Sequence, residues 1–167
     1  PDVILVGELR DKETIQTALM AAETGHLVLS TLHTTDAVES MGRVLSFFEG
    51  HERQAICQIL SQHLKAVVSQ RLVARQDGKG MAAALEILIN NAAAREIIHS
   101  GENFAQLHQV IANAHDPKSK GQNIDGSMQS FDHSLMQLYQ SGVITKEAAL
   151  LLASRKQDFA LMLRGVS

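Results

Sequence analysis

Residues 1–36 read PDVILVGELRDKETIQTALMAAETGHLVLSTLHTTD, and this stretch decides the fold. The apolar run at 3–6 is typical of a strand that is buried on both faces, as parallel sheets require. The run at 27–32 predicts a second buried strand, which we expect to close at His33. Between the two runs, apolar residues recur at a helical spacing after Asp11, a suitable N-cap. The segment therefore predicts strand, helix and strand.

Such a connection implies parallel strands joined by a right-handed crossover. Both strands then finish at the same edge of the sheet, where ligands of open α/β folds bind. We expect Glu8 and His33 to lie side by side at this edge. His26 opens the second strand and is expected at the opposite edge. A strand of about seven residues spans roughly 20 Å, so His26 and His33 cannot share a metal ion.

Later segments predict more helices and a hairpin. The expected elements are helices at 37–48 and after His51, a hairpin within 65–89, and helices at 92–99 and 104–114. Three more helices follow: Ser130 can cap the first, Thr145 can cap the second, and Phe159 marks the last. Between the fifth helix and Ser130 we expect a long polar loop at 115–127. The pattern predicts an α/β fold that ends in a helical region.

The composition excludes several classes of protein. With 15 Lys and Arg against 18 Asp and Glu, no Trp and one Tyr, the chain has neither a basic footprint nor a stacking surface for nucleic acid. Its apolar runs fall far short of the roughly 20 residues that a membrane span needs. Cys57 is the single cysteine, which excludes an internal disulfide, and we expect it to be buried and inert. The chain opens at Pro1 without an initiator Met, so we expect a cut edge there.

Five segments resemble the motor ATPases of type II and type IV secretion systems. PDVILVGELRD at 1–11 is similar to their Walker B box, and AAETGHLV at 21–28 and STLHTT at 30–35 are similar to their His boxes. SQRLV at 69–73 resembles the arginine-bearing segment that follows in these motors, and AAALEILI at 82–89 resembles their next strand. The resemblance implies a RecA-like P-loop ATPase core of parallel strands plus a hairpin.

The C-terminal segments favour one branch of this family. GSMQSFD at 126–132 and GVITKEA at 142–148 are similar to the C-terminal helices of the pilus retraction ATPases, the PilT and PilU group. Assembly and secretion motors usually carry a four-cysteine zinc loop after the SQRL segment, and residues 74–80 contain no cysteine. Both features favour the retraction branch.

The resemblance covers only part of such a motor. No Gly-x-x-x-x-Gly-Lys-Ser/Thr loop, the Walker A motif that cradles phosphates, occurs in the 167 residues. The resemblance therefore implies the C-terminal half of the ATPase. Residues 1–91 would form a partial core with the Walker B and His boxes, and residues 92–167 a C-terminal helical bundle.

Glu8 and His33 are the main site candidates. The resemblance implies that Glu8 orients the attacking water or binds Mg²⁺ through water; the alternative is a structural strand end. His33 resembles the second histidine of the His boxes, which senses the γ-phosphate. The alternative for His33 is a cap of the helix at Thr34.

Three further residues match the motifs of the family. Arg10 pairs either with the phosphate of a bound nucleotide or with Asp11, and surface pairs of the second kind are the commoner. His26 matches the first His-box histidine and is assigned to the subunit interface or to coupling. Arg71 is assigned to the same roles, with stacking inside the hairpin as the alternative. The other histidines lack metal-ligand spacing, so the protein is expected to hold no metal by histidine.

The resemblance implies hydrolysis of ATP, with Mg²⁺, in a homohexamer that powers type IV pilus retraction and twitching motility. It also implies a cytoplasmic location, peripheral to the inner membrane, and contact with the pilus platform protein there. The 167 residues alone are expected neither to bind ATP tightly nor to hydrolyse it. The alternatives are a non-catalytic interaction module or truncated subunit, and a pilus assembly or type II secretion ATPase. An unrelated α/β hydrolase is disfavoured because no Gly-x-Ser-x-Gly elbow occurs.

Overall fold

The computed structural model describes residues 1–114 and 128–165, so the loop expected at 115–127 lies outside the described residues. None of the helices in these two ranges is long and apolar enough to cross a bilayer. The α/β fold class is confirmed. In chain order the elements are β1 (Val3–Val6), α1 (Lys12–Glu23), β2 (Leu27–Ser30), α2 (Ala37–Leu45), α3 (Gly50–His63), β3 (Ala66–Ala74), β4 (Met81–Ile89), α4 (Ala92–Ser100), α5 (Gln106–Asn113), α6 (Phe131–Gln140), α7 (Lys146–Leu152) and α8 (Lys156–Arg164).

The chain forms two compact units. The first comprises Pro1–Val67 and Leu88–Val110, and the second comprises Val68–Ile87 and Ile111–Ser167. The second unit thus groups most of the β3–β4 hairpin with the C-terminal helices. The sequence divides the chain differently, into a partial ATPase core over 1–91 and a helical region over 92–167. That division describes the domains of the family, and it stays a prediction.

In the first unit, β1 and β2 form a parallel pair, with Val3 opposite Leu27 and Val6 opposite Ser30. α1 connects them, as the sequence predicts. Gly25 follows α1 with a backbone φ of +98°. Residues that carry a Cβ rarely adopt this conformation, so a glycine is required where the helix ends. β2 ends at Ser30, earlier than the predicted end at His33.

One face of this parallel pair is exposed. Four large apolar side chains lie on it with 45 to 75% of their surface accessible: Val3, Leu5, Leu27 and Leu29. Ile4 and Val28, which alternate with them, are half-buried. The prediction that both strands are buried on both faces is therefore wrong for the described residues. Side chains alternate along a strand, and here only one of the two sets is covered.

The core of the first unit lies mainly among its helices. α2 contributes Met41, Val44 and Leu45, and α3 packs against α4. Phe48 is buried as well although α2 ends at Leu45, because the chain continues in a turn in which the Phe48 N–H donates to the Leu45 carbonyl oxygen at 3.2 Å. The predicted helix at 37–48 is therefore three residues too long.

Cys57 lies inside this core on α3 and is fully buried. Burial raises the pKa of its thiol, and nearby Arg53 offsets this only in part. We expect no stoichiometric reaction of the native chain with a thiol reagent such as DTNB at pH 8, because the reactive thiolate is both scarce and shielded. The measurement is the absorbance of released thionitrobenzoate with and without urea. One equivalent should appear only in urea, and one equivalent from the folded chain would contradict the buried position.

The second unit has its own core between the hairpin and α6, α7 and α8. The buried members of this core are Val73, Ala82, Ala84, Phe131, Leu135, Ile144, Ala149, Ala153, Phe159 and Leu163. The caps of its helices follow the sequence prediction. Ser130 Oγ accepts from the His133 backbone N–H at 3.2 Å, and Thr145 Oγ1 accepts from the Ala148 N–H at 3.2 Å.

Candidate functional site

Hydrogen bonds of Thr31 connect the loop that follows β2 with the loop that follows β1. Its hydroxyl donates to the Gly7 carbonyl oxygen at 2.6 Å, and its own carbonyl oxygen accepts from the Leu9 backbone N–H at 3.1 Å. Glu8 therefore lies between two residues that are bonded to Thr31. His33 follows Thr31 by two positions. These bonds fix the backbone next to both predicted site residues.

Glu8 and His33 meet at the carboxyl edge of the strand pair. Nε2 of His33 lies 3.2 Å from Oε1 of Glu8. The imidazole nitrogen and the carboxylate oxygen are therefore in direct contact. The predicted juxtaposition of the two side chains is confirmed. Their assigned roles in catalysis and phosphate sensing stay predictions.

Arg10 contacts the same carboxylate. Its Nε donates to Oε2 of Glu8, the oxygen opposite the one that His33 contacts. Asp11, which the sequence offered as a partner of Arg10, caps α1 instead: its Oδ1 accepts from the Thr14 backbone N–H at 2.8 Å. This bond and a second from the Thr14 side chain lower the pKa of Asp11. The structure therefore brings Glu8, Arg10 and His33 together.

The helix after His33 begins at a well-formed cap. Asp36 Oδ1 accepts from the Glu39 backbone N–H at 2.8 Å. Glu39 Oε2 in turn accepts from the Thr35 hydroxyl at 2.6 Å and from the Thr35 N–H at 2.8 Å. These two bonds, the hydroxyl first, lower the pKa of Glu39. Because Asp36 is the N-cap of α2, the alternative role of His33 as its cap is not what the structure shows.

His26 lies at the start of β2, at the opposite end of the strand from His33. Its Nδ1 is 3.1 Å from the Ala21 carbonyl oxygen and 3.1 Å from the Thr24 hydroxyl. A carbonyl only accepts, so Nδ1 donates to Ala21. The structure thus keeps His26 apart from Glu8 and His33, as the sequence predicts. Its interface or coupling role stays a prediction.

Arg71 belongs to the second unit, where it holds the C-terminal helices. Its guanidinium carbon lies 3.8 Å from the centroid of the Phe131 ring. Nη1 donates to the Leu152 carbonyl oxygen at 3.2 Å and to the Ser154 hydroxyl at 3.1 Å. The stacking alternative raised from the sequence therefore describes its contacts, although its stacking partner lies on α6. Its interface or coupling role is untested and stays a prediction.

Two contacts were not predicted from the sequence. The first is the Thr31 hydroxyl bond, which the register would have revealed because Thr31 lies opposite Gly7, one position past the Val6–Ser30 pair. The second is Asp132, a buried carboxylate whose oxygens accept from the backbone N–H groups of Ser154 at 2.7 Å and Arg155 at 3.2 Å. No pattern in the sequence marks this second contact, because its partners lie more than 20 positions away.

The site combines an acid, an arginine and a histidine at a surface open to water. Arg10 and His33 both contact the Glu8 carboxylate, and the side chain of His33 is largely exposed. Among residues 1–114 and 128–165 no group of three or more His, Cys, Asp or Glu side chains could hold a metal by itself. Glu8 offers one carboxylate to a cation, which fits an ion such as Mg²⁺ that keeps several of its own waters.

Comparisons with known proteins identify relatives of this chain. Residues 1–79 match the family model described as type II/IV secretion system protein. The chain is 41% identical over 164 residues to the type IV pilus ATPase PilU of Pseudomonas aeruginosa, and this alignment covers 98% of the chain and 40% of PilU. It is 40% identical over 159 residues to the pilus retraction ATPase PilT of the same organism, and this alignment covers 95% of the chain and 43% of PilT. The chain belongs to the type II/IV secretion system protein family.

Within this family the chain lies in the PilT/PilU-like branch, as the sequence predicts. The crystal structure of the pilus retraction motor PilT with bound ADP matches it with a TM-score of 0.75 and 37% identity, over 95% of this chain and 41% of that one. The chain spans about 40% of the length of these relatives. The chain and this PilT structure thus share one fold over nearly all of the chain.

Proposed function

We propose that this chain is part of a motor ATPase of the pilus retraction type, which hydrolyses ATP to ADP and phosphate and so drives type IV pilus retraction and twitching motility. The observation that carries the proposal is the 3.2 Å contact between Glu8 and His33 at the carboxyl edge of β1 and β2. In open α/β folds ligands bind at this edge. The similarity to PilU and PilT along nearly the whole chain supports the same function.

In this proposal Glu8 accepts a hydrogen bond from the attacking water. The water oxygen forms a bond to the γ-phosphorus while the bond from that phosphorus to the bridging oxygen of ADP breaks. The proton that the water loses passes to Glu8 and then to solvent. His33 donates to an oxygen of the γ-phosphate, and its contact with Glu8 links phosphate sensing to the orientation of the acid.

The remaining parts of the proposal come from the resemblance to the retraction branch. Glu8 would hold Mg²⁺ through water, and the ion would supply charge neutralisation for the phosphates. The motor is a homohexamer in which His26 and Arg71 serve interfaces or coupling. It works in the cytoplasm at the inner membrane, against the pilus platform protein. The ADP bound to the solved PilT supports a nucleotide as the ligand.

One observation favours a second candidate. The exposed apolar face of β1 and β2, formed by Val3, Leu5, Leu27 and Leu29, is the kind of surface that packs against other protein. A non-catalytic interaction module, or a truncated subunit that joins full-length ones, would use it. The reading frame upstream of Pro1 separates the candidates. A glycine-rich loop that ends in Gly-Lys-Ser or Gly-Lys-Thr supports the motor, and a nearby stop codon supports the module.

The proposal is tested by phosphate release. The full-length protein that carries these residues is expected to release phosphate from ATP only with Mg²⁺. The 167 residues alone are expected to show neither turnover nor tight ATP binding, because no Walker A loop occurs in them. Both proteins are assayed at matched concentration with and without EDTA. Turnover by the 167 residues would contradict the second expectation, and a full-length protein without turnover would overturn the proposed activity.

A further inference from the structure

We propose that Arg10 is a positioning residue for Glu8, and that it acts through its Nε–H rather than through its charge. The proposal rests on the proposed function, because it concerns how the acid of that reaction is held. The sequence assigned Arg10 to phosphate or to Asp11. In the structure its contact is Oε2 of Glu8, and among the described residues no other partner of its guanidinium is recorded.

Two side chains from two different loops contact the Glu8 carboxylate. Arg10, in the loop after β1, donates to Oε2, and His33, in the loop after β2, lies 3.2 Å from Oε1. Each oxygen therefore has one neighbouring side chain, and rotation of the carboxylate about its last bond would break both contacts. Each oxygen still has a lone pair for a further hydrogen bond, so the acid can accept from water while it is held.

Hydrogen bonds fix the chain on both sides of Arg10. Leu9, before it, donates its backbone N–H to the Thr31 carbonyl oxygen at 3.1 Å. Asp11, after it, is fixed as the N-cap of α1 through its bond from Thr14. An exposed ion pair between mobile side chains contributes little. Here the backbone at both ends of the pair is already ordered, so only the two side chains lose freedom when the contact forms.

The two side chains of the pair differ in exposure. The Arg10 side chain is 75% exposed, whereas that of Glu8 is 21% exposed. The acid is thus the more enclosed member of the pair. Since Nε makes the contact, positioning of the Glu8 carboxylate needs one N–H donor that is separated from the backbone Cα by three side-chain carbons. It does not need the terminal Nη groups that bind phosphate in a forked geometry.

A pair of substitutions separates the two roles. Arg10→Gln keeps an N–H donor at the same number of bonds from Cα as Nε but removes the charge. Arg10→Met keeps length but removes the donor. In the full-length protein, Arg10→Met is expected to lower kcat for phosphate release by about 10- to 100-fold with KM for ATP unchanged, because a displaced acid loses its alignment. Arg10→Gln is expected to recover most of that loss.

A second measurement on the 167-residue chain is independent of turnover. The ¹⁵Nε order parameter of Arg10 is expected to be near about 0.85, the value of rigid groups, and to fall below about 0.6 when Glu8→Ala removes the acceptor. The exposed Arg53 of the same chain gives the baseline for a side chain outside the site. An Arg10 order parameter that is already as low as that of Arg53 would overturn the inference.

The kinetic outcomes distinguish this inference from the proposed function. Equal losses in Arg10→Gln and Arg10→Met, or a raised KM in both, would mean that the charge binds phosphate, and the positioning role would be wrong. Normal turnover in both variants would also overturn it. Normal turnover in Glu8→Gln would instead remove the acid from the mechanism, and with it the proposed function on which the inference rests.

Discussion

Replacement of Glu8 by Gln in the full-length protein is expected to lower kcat for ATP hydrolysis by about 100- to 10000-fold, the range that a general base supplies. The amide cannot take a proton from water. It also removes the negative charge to which Arg10 Nε donates at one oxygen and which lies 3.2 Å from His33 Nε2 at the other. The measurement is steady-state phosphate release at saturating MgATP.

The matched control is Glu23→Gln, the same chemical change on the exposed last residue of α1. It is expected to leave kcat within about twofold of the starting protein, since surface substitutions away from a site have small effects. Thermal unfolding of Glu8→Gln is recorded in parallel. A folded Glu8→Gln protein with undiminished turnover would show that this carboxylate has no part in the reaction.

The local parts of the fold follow from the sequence because each depends on neighbouring residues. Asp11, Ser130 and Thr145 were predicted as helix caps, and each accepts the expected backbone N–H three residues on. The meeting of Glu8 and His33 also follows, although 25 positions separate them. The parallel crossover puts both strand ends at one edge whatever the details of packing.

Contacts that depend on tertiary packing could not be predicted. Arg71 meets Phe131, and Asp132 meets the backbone at 154–155, through the folding of distant segments on one another. No periodicity encodes such pairs. The partner of Arg10 escaped for a different reason. Asp11 and Glu8 both lie within two positions of Arg10, and the sequence offered Asp11 both as the cap of α1 and as the partner of Arg10, whereas in the structure Asp11 caps the helix and Arg10 contacts Glu8.

Phe131→Ala is expected to destabilise the second unit by about 3–5 kcal/mol, the usual cost of removing a buried aromatic ring. Phe131 is 1% exposed and lies in the core of that unit. Its ring also carries the Arg71 guanidinium at 3.8 Å, so the truncation leaves a cavity and removes a cation–π contact together. The measurement is urea unfolding of the chain followed by circular dichroism.

Two comparison variants divide this loss between its causes. Phe131→Leu keeps most of the apolar volume and is expected to cost less than about 1.5 kcal/mol for packing, plus the lost contact with Arg71. Leu151→Ala removes a side chain that is 72% exposed on α7, and is expected to stay within about 0.5 kcal/mol of the parent. If Phe131→Ala also stayed within that margin, the ring would not be the anchor of this core, and the Arg71 contact on its face would have no role in holding the C-terminal helices.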